Sequence, residues 1–407
     1  MSGMRQQAAS GLKWTAVSQV SRLGAQLLGV LVLARLLPPS DFGLVAMASV
    51  ATGFASLFRD FGTAAAIIQR QDPNPKLFDS VFWLNVVFGV GLAVILGLLA
   101  PMIAIGFDEP RLKMVLWTLL LTFPIASLGT VHQALMEKAS RFRPLAMIES
   151  MAAFVSLAGA VLSALAGWGV FSLVVQTLLS ALLNTVGLWA ASRWRPAFRW
   201  DSDEIRGVMR FSSNLVGFNV FNYFVRNADN LLIGRFLGAT ELGYYAMAYR
   251  LMLWPLHNIS GVVGRALFPV FSRYQADQNR LVDAYVQVTA AIAFITAPLM
   301  FGFFVLREPV IAVVLGERWQ PVANILIWLA PLGFAQSIGA TVGTLYLATG
   351  RTDVMFKWGI GSGFFLYPYL LSVCSGVLQA SQLRISWGRC CCFGHHWRSL
   401  IAWLGFR

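Results

Sequence analysis

The feature that most constrains this chain is a series of long apolar segments joined by short polar connectors. A segment of about 20 mostly apolar residues is long enough to cross the hydrocarbon core of a bilayer. Eleven such segments follow one another: 12–37, 42–58, 78–100, 114–136, 145–166, 168–191, 208–237, 242–264, 284–305, 322–348 and 354–372. The sequence therefore predicts an all-α, polytopic membrane protein.

The composition agrees with this class. Apolar residues make up 57% of the 407 positions and charged residues 12%, against roughly 45–50% and about 25% in an average soluble domain. The longest polar connector, around Arg193–Arg210, is under twenty residues and too short for a soluble domain. No small-residue cleavage site follows the first apolar run, so we expect that run to be a retained span rather than a signal peptide.

The distribution of basic residues predicts the orientation. With the N-terminus in the cytoplasm, eighteen Lys and Arg residues fall in inner segments and six in outer segments. Cytoplasmic loops of membrane proteins carry such an excess. We therefore expect the N-terminus to be cytoplasmic. The same bias accounts for the formal charge of +13 without a nucleic-acid partner.

Two segments of the chain are copies of one pattern. Leu31–Ala48 reads LVLARLLPPSDFGLVAMA and Leu231–Ala248 reads LLIGRFLGATELGYYAMA, with seven of eighteen positions identical at an offset of 200 residues. Six predicted spans separate the copies, so both enter the membrane in the same direction. Parallel repeats are related by an axis along the membrane normal, with the substrate site at the interface of the lobes.

This repeat predicts two six-helix lobes, 1–192 and 208–372, joined by a cytoplasmic linker, 193–207. The offset places a twelfth span at about 368–391, where the sequence does not support one. The tail, 373–407, has no acidic residue and holds all four cysteines. We expect this tail to reflect an altered reading frame rather than a metal site, because adjacent cysteines rarely ligate one tetrahedral ion. No cofactor is expected.

Polar residues recur on the first helix of each predicted lobe. Gln19, Arg22 and Gln26 are spaced i, i+3 and i+7, which places them on one face of a helix. Asn219, Asn222 and Arg226 have the same spacing in the seventh predicted span. Under the 200-residue offset, each lobe therefore has one polar stripe that contains one arginine.

These stripes have a functional and a structural interpretation. Charged residues inside a span are costly and usually face a protein interior or a water-filled cavity. Guanidinium offers a planar fork to phosphate, so Arg22, Arg226 and the predicted buried cation Arg250 are candidates for binding an anionic headgroup. Alternatively, Arg226 pairs with Asp229 and only holds helices together. Asp229 is the candidate for binding or exchanging a coupling ion.

Other polar residues receive a simpler interpretation. Arg59, Asp60 and Glu149 lie near predicted span ends, where a solvated interfacial role is expected. His132 and His257 are isolated in apolar surroundings and are expected to be packed. The chain contains no GxxxxGK[ST] phosphate loop, so ATP hydrolysis by that route is excluded.

Several motifs resemble one known family. They include ARLLPPSDFGLVAMA (34–48), DFGTAAAIIQR (60–70) and FWLNVVFGVG (82–91). The most specific is DNLLIGRFLGATELGYYAMAYRLMLWPLHNIS (229–260). With GRALFPVFSR (264–273), LGERWQP (315–321) and ATGRTD (348–353), they resemble the O-antigen and exopolysaccharide flippases of the multidrug/oligosaccharidyl-lipid/polysaccharide exporter superfamily.

This resemblance implies an alternating-access exporter rather than an enzyme. Its substrate would be an oligosaccharide repeat unit on a polyprenyl pyrophosphate, moved from the cytoplasmic to the periplasmic leaflet. Its partners would be the lipid bilayer, that lipid-linked oligosaccharide and other membrane proteins of polysaccharide assembly. The resemblance also implies cationic cavity residues. On the argument from the polar stripes, we expect Arg22, Arg226 and Arg250 to have this role, with Gln19, Gln26 and Asn222 as further substrate-binding residues.

Two alternatives stay open at this point. One is a multidrug or toxin antiporter of the same superfamily, which would favour a carboxylate-bearing cavity over one rich in arginine. The other is a membrane-embedded glycan polymerase or ligase. An enzyme of that kind would need a long periplasmic loop, and the longest predicted outer connector is about fifteen residues.

Overall fold

The computed structural model describes residues 2–59, 75–201, 226–254 and 278–348, with 63, 67, 205, 220, 223 and 224. Within these ranges every regular element is helical and no strand is present. A bilayer offers no water to pair with backbone polar groups, so helices that satisfy their own backbone are the expected solution. The all-α, polytopic prediction is confirmed.

The helices of the first half occupy almost its whole length. They are α1 (Ser2–Leu36), α2 (Pro39–Arg59), α3 (Pro75–Phe107), α4 (Arg111–Leu120), α5 (Thr122–Lys138), α6 (Phe142–Leu165) and α7 (Phe171–Ala191). In the second half, helical residues run over 226–254. They are followed by α8 (Gln278–Val305), α9 (Arg307–Val314), a short 3-10 helix (Glu317–Trp319) and α10 (Gln320–Ala348).

Among the described residues, eight helices are long and apolar enough to cross a membrane. Six of them lie in the first half and match the first six predicted spans, with α4 and α5 together forming the span Arg111–Lys138. Arg280–Val305 and Glu317–Gly339 match the ninth and tenth. The predicted seventh, eighth and eleventh spans fall partly or wholly outside the described residues, as does the tail 373–407.

The two halves share one apolar core near the end of α1 and the start of α2. Trp319, fully buried, donates its indole N–H to the carbonyl oxygen of Ala34 at 2.7 Å. Phe42 and Tyr244 meet the Trp319 ring edge-on, with centroids 5.2 and 6.0 Å away. Trp319 therefore fixes the second half against both α1 and α2 at this end of the molecule.

A pair of glycines brings the two copies of the sequence repeat into backbone contact. A Cβ atom on Gly43 would lie 1.7 Å from the carbonyl oxygen of Ala239, and one on Gly243 would lie 2.0 Å from that of Pro39. Positions 39 and 239, like 43 and 243, correspond under the 200-residue offset. Each copy therefore makes the same contact on the other, as in an isologous interface.

We expect Gly43→Ala to destabilise the protein, because the added methyl group overlaps a backbone atom that cannot rotate away. Overpacking of this kind costs about 1–3 kcal/mol. The measurement is the thermal unfolding midpoint in detergent, followed by tryptophan fluorescence. The control is Gly91→Ala in α3, where a Cβ would meet nothing within 4 Å. Equal midpoints for the two variants would contradict the close backbone approach.

Candidate functional site

The polar stripe predicted on α1 is present and accessible. Gln19, Arg22 and Gln26 are all exposed, whereas Ser18 and Ala25, at the edge of this face, are buried. Accessible polar side chains inside a membrane span are expected to face a water-filled cavity or protein rather than lipid tails. Whether these three residues bind substrate stays a prediction.

Arg22 has an acidic partner from another helix. One guanidinium nitrogen (Nη2) lies 3.7 Å from Oε2 of Glu149 on α6, and the same carboxylate accepts a hydrogen bond from the Ser18 hydroxyl. The Glu149 side chain is 18% exposed and the Arg22 side chain 53%. The expectation of a solvated role for Glu149 is therefore wrong, because α6 packs along α1 and turns this residue inward. Half of the Arg22 side chain is still accessible to a ligand.

Asp229 is buried and is bonded to groups other than Arg226. Its Oδ2 accepts a hydrogen bond from the Tyr245 hydroxyl at 2.6 Å, and its Oδ1 accepts one from the backbone N–H of Asn230 at 2.8 Å. Arg226 is exposed, and within the described ranges no ion pair joins it to Asp229. The structural alternative, in which this ion pair holds the helices together, is not realised in this conformation.

Arg250 differs from the buried cation that the sequence predicts. The residue is exposed, so the prediction of a buried cation is wrong for the described structure. Asn222, the remaining candidate, lies outside the described residues.

Tyr223 links the segment around Arg226 to α2, a contact that sequence reasoning missed. Its hydroxyl lies 3.1 Å from the carbonyl oxygen of Ser49 and 2.9 Å from that of Val50, so it donates to this pair. Gly53 leaves room for the ring, since a Cβ there would lie 2.4 Å from the hydroxyl oxygen. The only signal for this contact in the sequence was that Tyr223 has a polar hydroxyl and directly follows Asn222, a residue of the predicted stripe.

Arg22 and Arg226 lie at similar distances from the end where the two halves meet. Arg22 precedes the last residue of α1, Leu36, by fourteen positions, or ~21 Å at 1.5 Å per residue. Arg226 precedes Gly238, whose φ of 83° marks a break in the helical residues, by twelve positions, or ~18 Å. A hydrocarbon core of ~30 Å that begins at this end would contain both arginines, somewhat beyond its midplane.

The prediction for His132 is confirmed. The residue is fully buried, with its ring centroid 4.7 Å from that of Trp189 and 5.1 Å from that of Trp194. It is therefore packed among aromatic rings of the first half. His257 lies outside the described residues.

Comparisons with known proteins identify the family. Residues 32–324 match the model of the family described as "Polysaccharide biosynthesis protein". The lipopolysaccharide biosynthesis protein WzxC of Escherichia coli K12 is 29% identical over 90% of this chain and 75% of its own length. The teichuronic acid biosynthesis protein TuaB of Bacillus subtilis 168 is 30% identical over 95% and 80%. The succinoglycan biosynthesis transport protein ExoT of Rhizobium meliloti 1021 is 28% identical over 85% and 70%.

Solved structures show the same fold at low sequence identity. The lipid II flippase MurJ in an inward closed conformation aligns with a TM-score of 0.68 at 13% identity, over 86% of this chain and 78% of that one. An inward-facing multidrug resistance transporter of the MATE family gives 0.56 at 16%, over 85% and 88%. The chain therefore belongs to the polysaccharide biosynthesis protein family, and it shares its fold with these two solved structures.

Proposed function

We propose that this chain moves oligosaccharide repeat units, carried on polyprenyl pyrophosphate, from the cytoplasmic to the periplasmic leaflet of a bacterial inner membrane. The observation that carries the proposal is the accessible stripe of Gln19, Arg22 and Gln26 in the middle of a membrane span. Such a stripe has a use only if a polar ligand enters the membrane-embedded part of the protein. Membership of the polysaccharide biosynthesis family supports the class of ligand.

Two lobes, 1–192 and 208–372, surround the transport path in this proposal. The reciprocal contact of Gly43 and Gly243 supports an axis that relates them, since each copy of the repeat meets the same part of the other. The shared core around Trp319 lies at the same end, which is the predicted periplasmic end. The proposed cavity is thus closed toward the periplasm and reached from the cytoplasm, and transport requires these contacts to separate.

Arg22 and Arg226 bind the pyrophosphate in this scheme, and the polyprenyl tail stays in lipid. Without substrate, Arg22 is held by Glu149 at 3.7 Å, a distance too long for a strong hydrogen bond. A phosphate that approaches the guanidinium can accept two parallel N–H bonds and compete with this contact. Arg250 adds a third positive charge, while Gln19, Gln26 and Asn222 donate hydrogen bonds from their amides.

Asp229 is the proposed site of coupling to an ion. The carboxylate is buried and hydrogen-bonded to Tyr245, so a change in its charge would alter a contact within the 226–254 segment. A buried carboxylate has a high cost when it is charged and unpaired, which makes binding of a proton or metal cation favourable there. This coupling would return the empty protein to the inward-open state.

The fold alone does not separate this function from multidrug export, because the MATE transporter shares it. The arginines favour an anionic substrate over the cationic compounds that a carboxylate-rich cavity would select. The named relatives also favour polysaccharide transport over glycan polymerisation, since one is itself described as a transport protein.

We expect Arg22→Ala and Arg226→Ala to abolish transport while the protein still inserts, because the pyrophosphate loses its cationic partners. Arg22→Lys should retain partial activity, since it keeps the charge without the guanidinium fork. The measurement is surface polysaccharide in a flippase-deficient strain that makes the matching repeat unit, with expression checked by immunoblot.

Two controls separate binding from folding in this experiment. Arg22→Ala leaves Glu149 without its cation, so the double variant Arg22→Ala/Glu149→Gln removes both charges and should be equally inactive. Arg193→Ala changes an exposed arginine of the linker and should transport normally. Full surface polysaccharide from Arg22→Ala/Arg226→Ala would show that these arginines are structural.

The proposed orientation can be tested with reporter fusions. Alkaline phosphatase folds in the periplasm, so fusions after Ala166 or Gly238 should be active and a fusion after Arg199 inactive. These positions alternate because a single crossing separates Ala166 from Arg199, on α7. The opposite activity pattern would place the N-terminus outside and reverse the proposed direction of closure.

A further inference from the structure

A second polar surface lies on α5, within the span Arg111–Lys138. Thr130, Gln133 and Glu137 are spaced i, i+3 and i+7, so they share one face of the helix. Gln133 is exposed, and Thr130 and Glu137 are partly exposed. Its neighbours across the gap on α7 include the polar residues Asn184 and Thr185, together with Leu188.

These residues line a cavity of about 400 Å³ between α5, α7 and the end of α2. Arg59, the last residue of α2, contributes a guanidinium to the wall, and Glu137 contributes a carboxylate. The rest of the wall is formed by amides, hydroxyls and small side chains such as Gly129 and Ala181. The small residues make the space, and the polar residues make it suitable for a hydrophilic ligand.

Several hydrogen-bonding groups in this cavity are oriented and still have capacity for a ligand. Gln133 donates to Glu137 at 2.9 Å, and Asn184 donates to the carbonyl oxygen of Ser180 at 2.8 Å. The Asn184 amide nitrogen also approaches the Ser180 hydroxyl at 3.5 Å. The two amide oxygens, the second N–H of Gln133 and the other carboxylate oxygen are then the groups that can bond to hydroxyl groups.

We propose that this cavity binds uncharged sugar hydroxyls of the transported oligosaccharide. Among the described residues that line the cavity, one guanidinium and one carboxylate balance in formal charge, which favours an uncharged ligand over a phosphate, unlike the surroundings of Arg22. Amides and carboxylates offer donors and acceptors side by side, which suits neighbouring hydroxyls on a sugar ring. Its volume, near the lower end for ligand pockets, fits roughly one or two rings rather than a whole repeat unit.

The position of the cavity agrees with the order of groups in such a substrate. Asn184 follows the first residue of α7, Phe171, by thirteen positions, or ~20 Å, which is close to the depth of Arg22. Arg59 follows Pro39 by twenty positions, or ~30 Å, at the predicted cytoplasmic face. The cavity thus extends from the level of the proposed pyrophosphate site toward the cytoplasm, where the sugars of an entering substrate would lie.

This proposal rests on the proposed transport function, and a binding experiment tests the two separately. The full chain is placed in lipid nanodiscs, and ligand binding is measured by native mass spectrometry. The first probe is the lipid-linked oligosaccharide that accumulates in the source strain when this gene is deleted. The second is polyprenyl pyrophosphate without sugar. Wild type should bind the first probe more tightly than the second.

Gln133→Ala/Asn184→Ala should weaken binding of the glycosylated probe about tenfold, since each lost hydrogen bond contributes about 0.5–1.5 kcal/mol. The same variant should bind polyprenyl pyrophosphate as wild type does. Asn184→Ala alone should show a smaller loss of the same selectivity, and thermal unfolding checks that both variants fold. Gln287→Ala, an exposed glutamine on α8, is the matched control and should bind both probes normally.

The outcomes distinguish the two hypotheses. Unchanged binding of the glycosylated probe by the double variant, equal loss for both probes, or equal affinity of wild type for the two probes would overturn the sugar site alone. If wild type binds neither probe, the proposed transport function fails instead. Normal binding of polyprenyl pyrophosphate by Arg22→Ala/Arg226→Ala would overturn the proposed role of the two arginines. Selective loss for the glycosylated probe supports both.

Discussion

The structure depends on the cost of placing polar groups in a bilayer. An unpaired backbone group in hydrocarbon costs several kcal/mol, so the chain crosses the membrane as helices that satisfy themselves. The same cost makes each polar side chain within a span informative. In the described part of this chain, faces of α1, α5 and α7 each carry several accessible or partly accessible polar side chains. A protein that only needed to span the membrane would have no use for these faces.

The pairing of Arg22 with Glu149 shows how such a face can be maintained without substrate. A guanidinium without a partner inside the membrane would be energetically unfavourable. A short, fully buried ion pair would hold its two partners too tightly for a ligand to replace one of them. The 3.7 Å contact, with the carboxylate also bonded to Ser18, lies between these limits. Glu149 keeps Arg22 charged and oriented. The exposed half of the Arg22 side chain can still bind a second anion in place of Glu149.

Sequence reasoning succeeded where the signal is local and missed what depends on packing between helices. The six spans of the first half follow from the length of apolar runs, and the shared face of Gln19, Arg22 and Gln26 follows from helical spacing. The partner of Arg22 could not be predicted, because Glu149 comes from a helix far away in the chain. The face of Thr130, Gln133 and Glu137 has the same spacing as the α1 stripe and could have been found. It was overlooked because the surrounding run is apolar enough to be treated only as a span.

Gly43 and Gly243 are equivalent positions of the sequence repeat, and their reciprocal contact joins the two copies in space. Each glycine accommodates the backbone of residue 39 or 239 in the opposite copy. A larger residue in one copy is therefore resisted by the main chain of the other, and no side-chain substitution on the other side can make room for it. Both positions therefore require glycine, although they are 200 residues apart in the chain. The two halves are thus constrained most directly at this backbone contact, which lies within the segment where their sequences repeat.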